Sequence, residues 1–362
     1  MKKSIVILFS LLLCFMTSCP KNSNQYTVEL LEKDNYIIES FAFNREDYEI
    51  RDAASDTYEF LEIDNFYQNS LNFRVVKDYG DFFYRTKAIY RYDLNTNSVQ
   101  EIVKDLDTEK SITEFTYLNE FEYLYCMADW SKSENDFPYE IIYEKDGQQQ
   151  VLYSSNSTGF TPLANFVSEE NKIYMVCNYP DAKNGQLFEF QDEKLTSLME
   201  IDKIIDGVVK ASNQRISLMS QTNDKVNLSY YENGQAYSIE FGNSVKTLPL
   251  LFDNILLCME PIYSDQGALK SVNTFLIDKK TQQKQSLESL DFLYQKAILL
   301  SGNSAFIYRD KQGYYLKVDD EKKKIKIVEM VFDEAIDEAF KVDEHCILTV
   351  GQGSINKITM NE

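Results

Sequence analysis

With 362 residues, 44% of them hydrophobic and including 25 Tyr and 23 Phe, the chain can build a sizeable core as one large domain or two smaller ones, and this composition excludes a disordered chain. Thirty-seven Lys and Arg against 58 Asp and Glu leave a net charge of −21. Such a surface repels phosphate backbones and anionic lipid headgroups alike, so nucleic acid is excluded as a partner. The densest basic run, Lys322 to Lys326, falls in a predicted hairpin turn and reads as a solvated turn.

The chain opens with Lys2 and Lys3, continues through twelve largely apolar residues from Ile5 to Met16, and reaches the small pair Thr17 and Ser18 before Cys19. A charged start, an apolar run and a small-residue cleavage site make a signal peptide over residues 1–18. A membrane span needs about 20 apolar residues, and Pro20 and Lys21 end this run short of that. The segment Met16-Thr17-Ser18-Cys19 resembles the lipobox of bacterial lipoproteins, with Met16 where Leu is commoner. The resemblance implies export, acylation of Cys19 and anchoring to the bacterial cell membrane or outer envelope through lipid alone. Residues 19–25 then form a polar tether, and 26–362 a single domain.

Of the six cysteines, Cys126, Cys177 and Cys258 each end an apolar run, as in Tyr-Leu-Tyr-Cys126, and Cys346 follows the one histidine, His345. These settings predict four buried, reduced, structural thiols rather than disulfides. Metal binding finds no support, because no Cys-x-x-Cys pair exists. No cofactor is expected.

The body of the chain repeats. Strand ends recur at Arg85, Cys126, Cys177, Ser220, Cys258, Arg309 and Thr349, at separations of 38 to 51 residues. All but the last are followed by a second hairpin turning at Asn95-Thr96-Asn97, Asp146-Gly147, Asp192-Glu193, Asn233-Gly234, Lys280-Thr281 and Asp320-Glu321. Asn-Gly and Asp-Gly are type I′ turn pairs, since both central residues need φ > 0. A four-stranded meander of this length is the size of a β-propeller blade. The expectation is therefore an all-β fold, a propeller of seven four-stranded blades. After Gly353 only one strand remains, so the last blade must borrow an N-terminal strand, and Tyr26 to Leu31 is placed to supply it. Residues 33–65, with strand-like Tyr36 to Phe43 and helix-like Asp52 to Ile63, stand outside this register as an insertion or a degenerate eighth blade. A large sandwich or solenoid would also space short strands evenly. The segment Ala88 to Val103, Ala-Ile-Tyr-Arg-Tyr-Asp-Leu-Asn-Thr-Asn-Ser-Val-Gln-Glu-Ile-Val, resembles the outer hairpin of TolB-type and quinoprotein-type propeller repeats, and no other segment matches as well.

Chemistry is harder to find. His345 has no Gly-x-Ser-x-Gly elbow to serve, and Asp93 to Asn97 imitates a calcium loop but lacks Gly and Glu at the positions such a loop requires, offering Ser98 and Lys104. The loops between second and third strands collect Asp129, Trp130, Asp136, Phe137 and Pro138 in the second unit, Tyr179, Pro180 and Asp181 in the third, and Pro261, Tyr263 and Asp265 in the fifth. Rigid loops bearing aromatics lower the ordering cost of recognition. Trp130, Asp136, Phe137, Tyr179, Asp181, Tyr263 and Asp265 are thus the candidate binding face, for a protein or glycan partner. The competing expectations are a carboxylate-dependent carbohydrate hydrolase using such acids, and a structural member of an envelope assembly. Two carboxyls about 5 to 9 Å apart in one concavity would favour hydrolysis.

Overall fold

The structure, a computed structural model, describes residues 25–361 apart from 32–35, 53–56, 79–83, 105–109, 130, 132–137, 156–165, 170–171, 179–184, 202–203, 213–214, 223–224, 243–248, 265, 267–268, 288–295 and 301–302. Two strands, β1 (Thr27–Leu31) and β2 (Tyr36–Ala42), a single 3-10 turn (Arg45–Asp47) and the short β3 (Ile50–Asp52) come first. Blade 1 is β4 (Thr57–Tyr67), β5 (Ser70–Asp78), β6 (Tyr84–Asp93) and β7 (Ser98–Lys104). Blade 2 is β8 (Lys110–Asn119), β9 (Glu122–Asp129), β10 (Tyr139–Lys145) and β11 (Gln148–Ser155). Blade 3 is β12 (Val167–Glu169), β13 (Lys172–Asn178), β14 (Gly185–Gln191) and β15 (Lys194–Ile201), and blade 4 is β16 (Ile204–Ser212), β17 (Arg215–Thr222), β18 (Lys225–Glu232) and β19 (Gln235–Gly242). Blade 5 is β20 (Leu250–Leu251), β21 (Ile255–Tyr263), β22 (Leu269–Asp278) and β23 (Lys284–Ser286). Blade 6 is β24 (Lys296–Leu300), β25 (Ser304–Arg309), β26 (Gln312–Asp319) and β27 (Lys324–Val331). Blade 7 has β28 (Glu338–Lys341), β29 (Cys346–Val350) and β30 (Ser354–Met360). Each blade pairs in chain order as an antiparallel meander, which makes a seven-bladed β-propeller.

An N-terminal strand does complete blade 7, but it is β2 and not Tyr26 to Leu31. Tyr36 to Ala42 pair antiparallel with Met360 to Ser354, covering the edge of β30. The strand expected there, β1, instead lies parallel to β27, Thr27 opposite Lys324 and Leu31 opposite Val328, as a fifth strand of blade 6. The helix-like stretch is not helical where described: β3 ends at Asp52 and β4 begins at Thr57. Residues 33–65 thus supply the closing strand and the innermost strand of blade 1, and no eighth blade arises from them. The first repeat was also misplaced by one strand. Arg85 lies in β6, the third strand, while the second is Ser70–Asp78. The other six markers, from Cys126 to Thr349, fall in the second strands of their blades.

Most of the core is a ring of apolar seams between neighbouring blades. Phe43, Phe73 and Tyr92 meet Leu348, Val350 and Ile355 between blades 1 and 7, and Cys126, Tyr139 and Tyr143 meet Met175, Cys177 and Phe190 between blades 2 and 3. Burial of alternate residues on both faces of a strand explains runs such as Ile255 to Met259, all buried. Cys126, Cys177 and Cys258 are free thiols buried in these seams and Cys346 is a free buried thiol of β29, and burial pushes Cys126 and Cys258 up to about 12. The outer turns follow the turn chemistry. Asp146 and Gly147 have φ of 51° and 73°, and Asn233 and Gly234 52° and 78°. A Cβ at Gly234 would meet nothing within 4 Å, so only the backbone would resist it. Gly234→Ala should therefore cost about 1–2 kcal/mol, the left-handed penalty of an L-residue, read as a lower denaturant midpoint with an unchanged m-value. Asp93 accepts from the N–H groups of Asn95 at 2.8 Å and Thr96 at 3.2 Å, so the calcium-like stretch is a side-chain-capped hairpin turn.

Candidate functional site

The meander gives the ring two unlike faces. Connections from first to second and third to fourth strands form a turn face; connections from second to third strands and from blade to blade form the opposite loop face. Trp130, Asp136, Phe137, Tyr179, Asp181 and Asp265 lie outside the described residues, between the second and third strands of blades 2, 3 and 5. Tyr263 is the last residue of β21, its backbone opposite Leu269. Asp129, one of the acids weighed for hydrolysis, is buried at the end of β9 and accepts from the Ser131 hydroxyl at 2.6 Å and its N–H at 3.2 Å, which is a local cap.

The first strands β8, β12, β16, β20, β24 and β28, and in blade 1 β4 with the short β3 paired beyond its start, line the central channel. On the loop-face half of that channel, where blades 7, 1 and 2 meet, is a cavity of about 300 Å³. Arg45, Glu62, Asp64, Arg74, Glu114, Asp337 and Glu338 supply its charged lining. Sequence reasoning passed over all of them, because 58 acids spread over 362 residues give no clue to which ones converge.

Three bulges build this place. Register slips leave Asp64 as an extra residue in β4, Lys87 in β6 and Thr113 in β8. Glu62, opposite Arg74, and Asp64 two residues on both reach Arg74 on β5, and the extra residue lets Asn65 follow them opposite Asn72. The Arg74 Nε donates to the two Asp64 carboxylate oxygens at 2.7 and 2.9 Å, and Nη2 donates to Glu62 at 2.9 Å. Its Nη1 donates to the Thr86 hydroxyl at 3.1 Å and the Ile112 carbonyl at 3.0 Å, tying blade 1 to blade 2. Below it, Asn65 donates to the Phe115 carbonyl and the Thr116 hydroxyl, both at 2.8 Å, and accepts from Asn72 at 2.8 Å. Thr86 N–H donates to Ser111 at 2.8 Å. Between these two blades, then, part of the seam is polar, and its members are paired across it, as buried polar groups must be.

The charges are unbalanced: one guanidinium faces three carboxyls. Burial pushes the Asp64 carboxyl up to about 7 although Arg74 pulls the other way. Burial, then the Asp64 charge, drive Glu114 well above the usual carboxylate range, against the pull of Arg74 and of a hydrogen bond from the Phe166 N–H. Burial works against the charge on Arg74, but Asp64 and Glu62 outweigh it and hold the guanidinium ionised. Nearer the mouth, Arg45 donates to Asp337 at 2.7 Å and to the Leu61 carbonyl at 2.7 Å, so the segment after β2 is strapped across blades 7 and 1. No group of His, Cys, Asp and Glu able to hold a metal ion occurs among the described residues.

On the turn face the described chain begins with residues fixed to blades 5 and 6. Tyr26 N–H donates to the Gln285 side chain at 2.9 Å, the Gln285 amide returns a bond to the Tyr26 carbonyl at 2.7 Å, and the Tyr26 hydroxyl donates to Asp320. The Lys323 ammonium sits 4.8 Å from the Tyr26 ring centre. A second cavity of about 410 Å³, lined by Asn254, Asp278, Lys279, Lys280, Asp320, Glu321 and Lys323, opens beside these residues.

No protein-family model and no curated protein matches the chain. Among solved structures it is similar to the β-propeller domain of the Trilobed protease from Pyrococcus furiosus, at 10% identity over 83% of this chain and 95% of that one, with a TM-score of 0.49. It is also similar to an uncharacterized protein from Listeria monocytogenes, at 14% identity over 90% and 92% and a TM-score of 0.40, and to a prolyl endopeptidase, at 8% identity over 84% and 50% and a TM-score of 0.46. The count of seven blades rests on the strand order itself.

Proposed function

We propose that the protein is an exported lipoprotein, anchored through Cys19, whose propeller recognises a protein or glycan partner with its loop face. The observation that carries this reading is the place of Tyr26. Seven residues after Cys19, it is held on the turn face by Gln285 and Asp320. An acylated Cys19 therefore keeps the turn face toward the bilayer and the loop face, with Trp130, Asp136, Phe137, Tyr179, Asp181, Tyr263 and Asp265 in or beside its connections, toward the partner. Loss of residues 1–18 removes Lys2 and Lys3 and leaves a charge of −23, which keeps the body itself off anionic headgroups. Hydrolysis fits less well, since Glu62 and Asp64 in the channel cavity are both held by Arg74.

Cys19→Ala should move the protein from the detergent-extracted membrane fraction to the soluble one; equal membrane retention would refute the anchor. Alanine at Trp130, Phe137 and Tyr179 together should abolish retention of a partner from envelope extract, and undiminished retention by the folded variant would refute the loop-face site.

A further inference from the structure

We propose that the seam between blades 1 and 2 is a proton-operated clasp, closed while Asp64 and Glu114 hold a proton between them and loosened when that proton leaves. Among the described residues Arg74 is the one cation in direct contact with Asp64 and Glu62, and four of its five N–H groups are spent on Asp64, Glu62, Thr86 and the Ile112 carbonyl. None goes to Glu114, which faces the same cavity from β8 and, among the described residues, accepts from the Phe166 backbone. With all three carboxyls ionised the group carries a net charge of −2, beside an Asp64 side chain only 1% exposed. Like carboxylates in one poorly solvated site do not all ionise together.

Among the described residues, no other charged group around the cavity supplies the missing cation. Arg45 is engaged by Asp337 and the Leu61 carbonyl, and Glu338 on β28 adds a further acid. Lys87 on β6 is taken by Glu59 at 2.8 Å. Cys126 on β9 is a neutral thiol, pushed up by burial. The raised carboxyl of Asp64, at about 7, and that of Glu114 agree with the count.

Ionisation of the last carboxyl acts across the seam because its parts belong to different blades. Glu62, Asp64 and Arg74 are on blade 1, while Glu114 and Ile112 are on blade 2. A new charge on Glu114 repels Asp64 and Glu62 and competes for Arg74, whose Nη1 is the contact to Ile112. In linkage terms, the folded state holds protons that the unfolded chain releases near pH 4. Stability contributed by the site is complete below that value and is lost as pH rises toward and through the folded values, near 7 for Asp64 and elevated for Glu114.

The experiment is a melting series from pH 5 to pH 8.5, with hydrogen exchange of peptides spanning β4 and β8, on the wild-type chain and Glu114→Gln. In the wild type Tm should fall by several degrees and exchange at the seam should quicken severalfold as pH rises. Glu114→Gln, a neutral isostere of the protonated acid, should flatten most of both trends. An unchanged slope in the variant, or a wild type whose seam exchange has no pH dependence beyond the intrinsic rate, overturns the proposal. If Glu114→Gln does not fold, wild-type protein with carboxyl-13C aspartate and glutamate decides. A protonated-carboxyl infrared band persisting at pH 6 supports the clasp, and its absence refutes it.

Discussion

Arg74→Met should destabilise the propeller by about 3–5 kcal/mol at pH 8, because removing one partner strands a buried carboxylate. The Arg74 and Asp64 side chains are 6% and 1% exposed, so water cannot replace what the guanidinium supplied. The loss should shrink at pH 5. Without Arg74 the folded-state carboxyls rise further, so they take up protons and escape the penalty as pH falls; urea titrations at the two values would measure the difference. The pair as a whole is another matter. Arg74→Met with Asp64→Leu removes both charges and should recover much of the stability, since apolar replacements of a buried pair are often neutral or better. Recovery in the double variant would indicate that this part of the seam is polar for a reason other than stability. Failure to recover would place the stability in the bonds of Arg74 to Thr86 and Ile112.

Phe43→Ala should cost a similar amount, about 3–5 kcal/mol, as for other large side chains deleted from a packed core. Phe43 is 3% exposed and sits directly after the closing strand β2. Its ring meets Phe73 at 5.5 Å and Tyr92 at 6.1 Å, both on blade 1, and it belongs to the same cluster as Leu348 and Ile355 of blade 7. The strand itself is poorly buried, with Ile37 55% and Ile38 37% exposed, so the closure depends on this anchor more than on β2. Hydrogen exchange should therefore rise selectively in β2 and β30 of the variant. Phe121→Ala is the control: that ring is 58% exposed, and its loss should lie within about 0.5 kcal/mol of wild type.

Local signals in the sequence carried most of the architecture. Turn pairs such as Asp146-Gly147 and Asn233-Gly234 adopt the positive φ their identities imply, and Cys126, Cys177 and Cys258 mark second strands because a small apolar thiol suits a seam. Partner choice at long range was not legible. Tyr26 to Leu31 and Tyr36 to Ala42 are both short and strand-like, and nothing in either names β27 or β30 as its neighbour. The channel site was hidden by its own logic. In β5, Leu71, Phe73 and Val75 alternate with Ser70, Asn72 and Arg74, a pattern that normally marks one dry face and one wet one. Here both faces are buried, the polar one against blade 2, so the alternation by itself does not disclose that Arg74 is buried.

The parallel course of β1 along β27 has a mechanical consequence. Tyr26 is at the turn-face end of that pair, so tension on the preceding chain, directed away from the turn face, runs along the strand axis. It loads the backbone bonds from Thr27 to Leu31 together, in shear, rather than peeling them one at a time. The closing strand β2 lies farther along the chain and receives no load until β1 has slipped. The fifth strand of blade 6 therefore works as a strain relief, which takes up a tug on the N-terminus before it reaches the joint that keeps the ring shut.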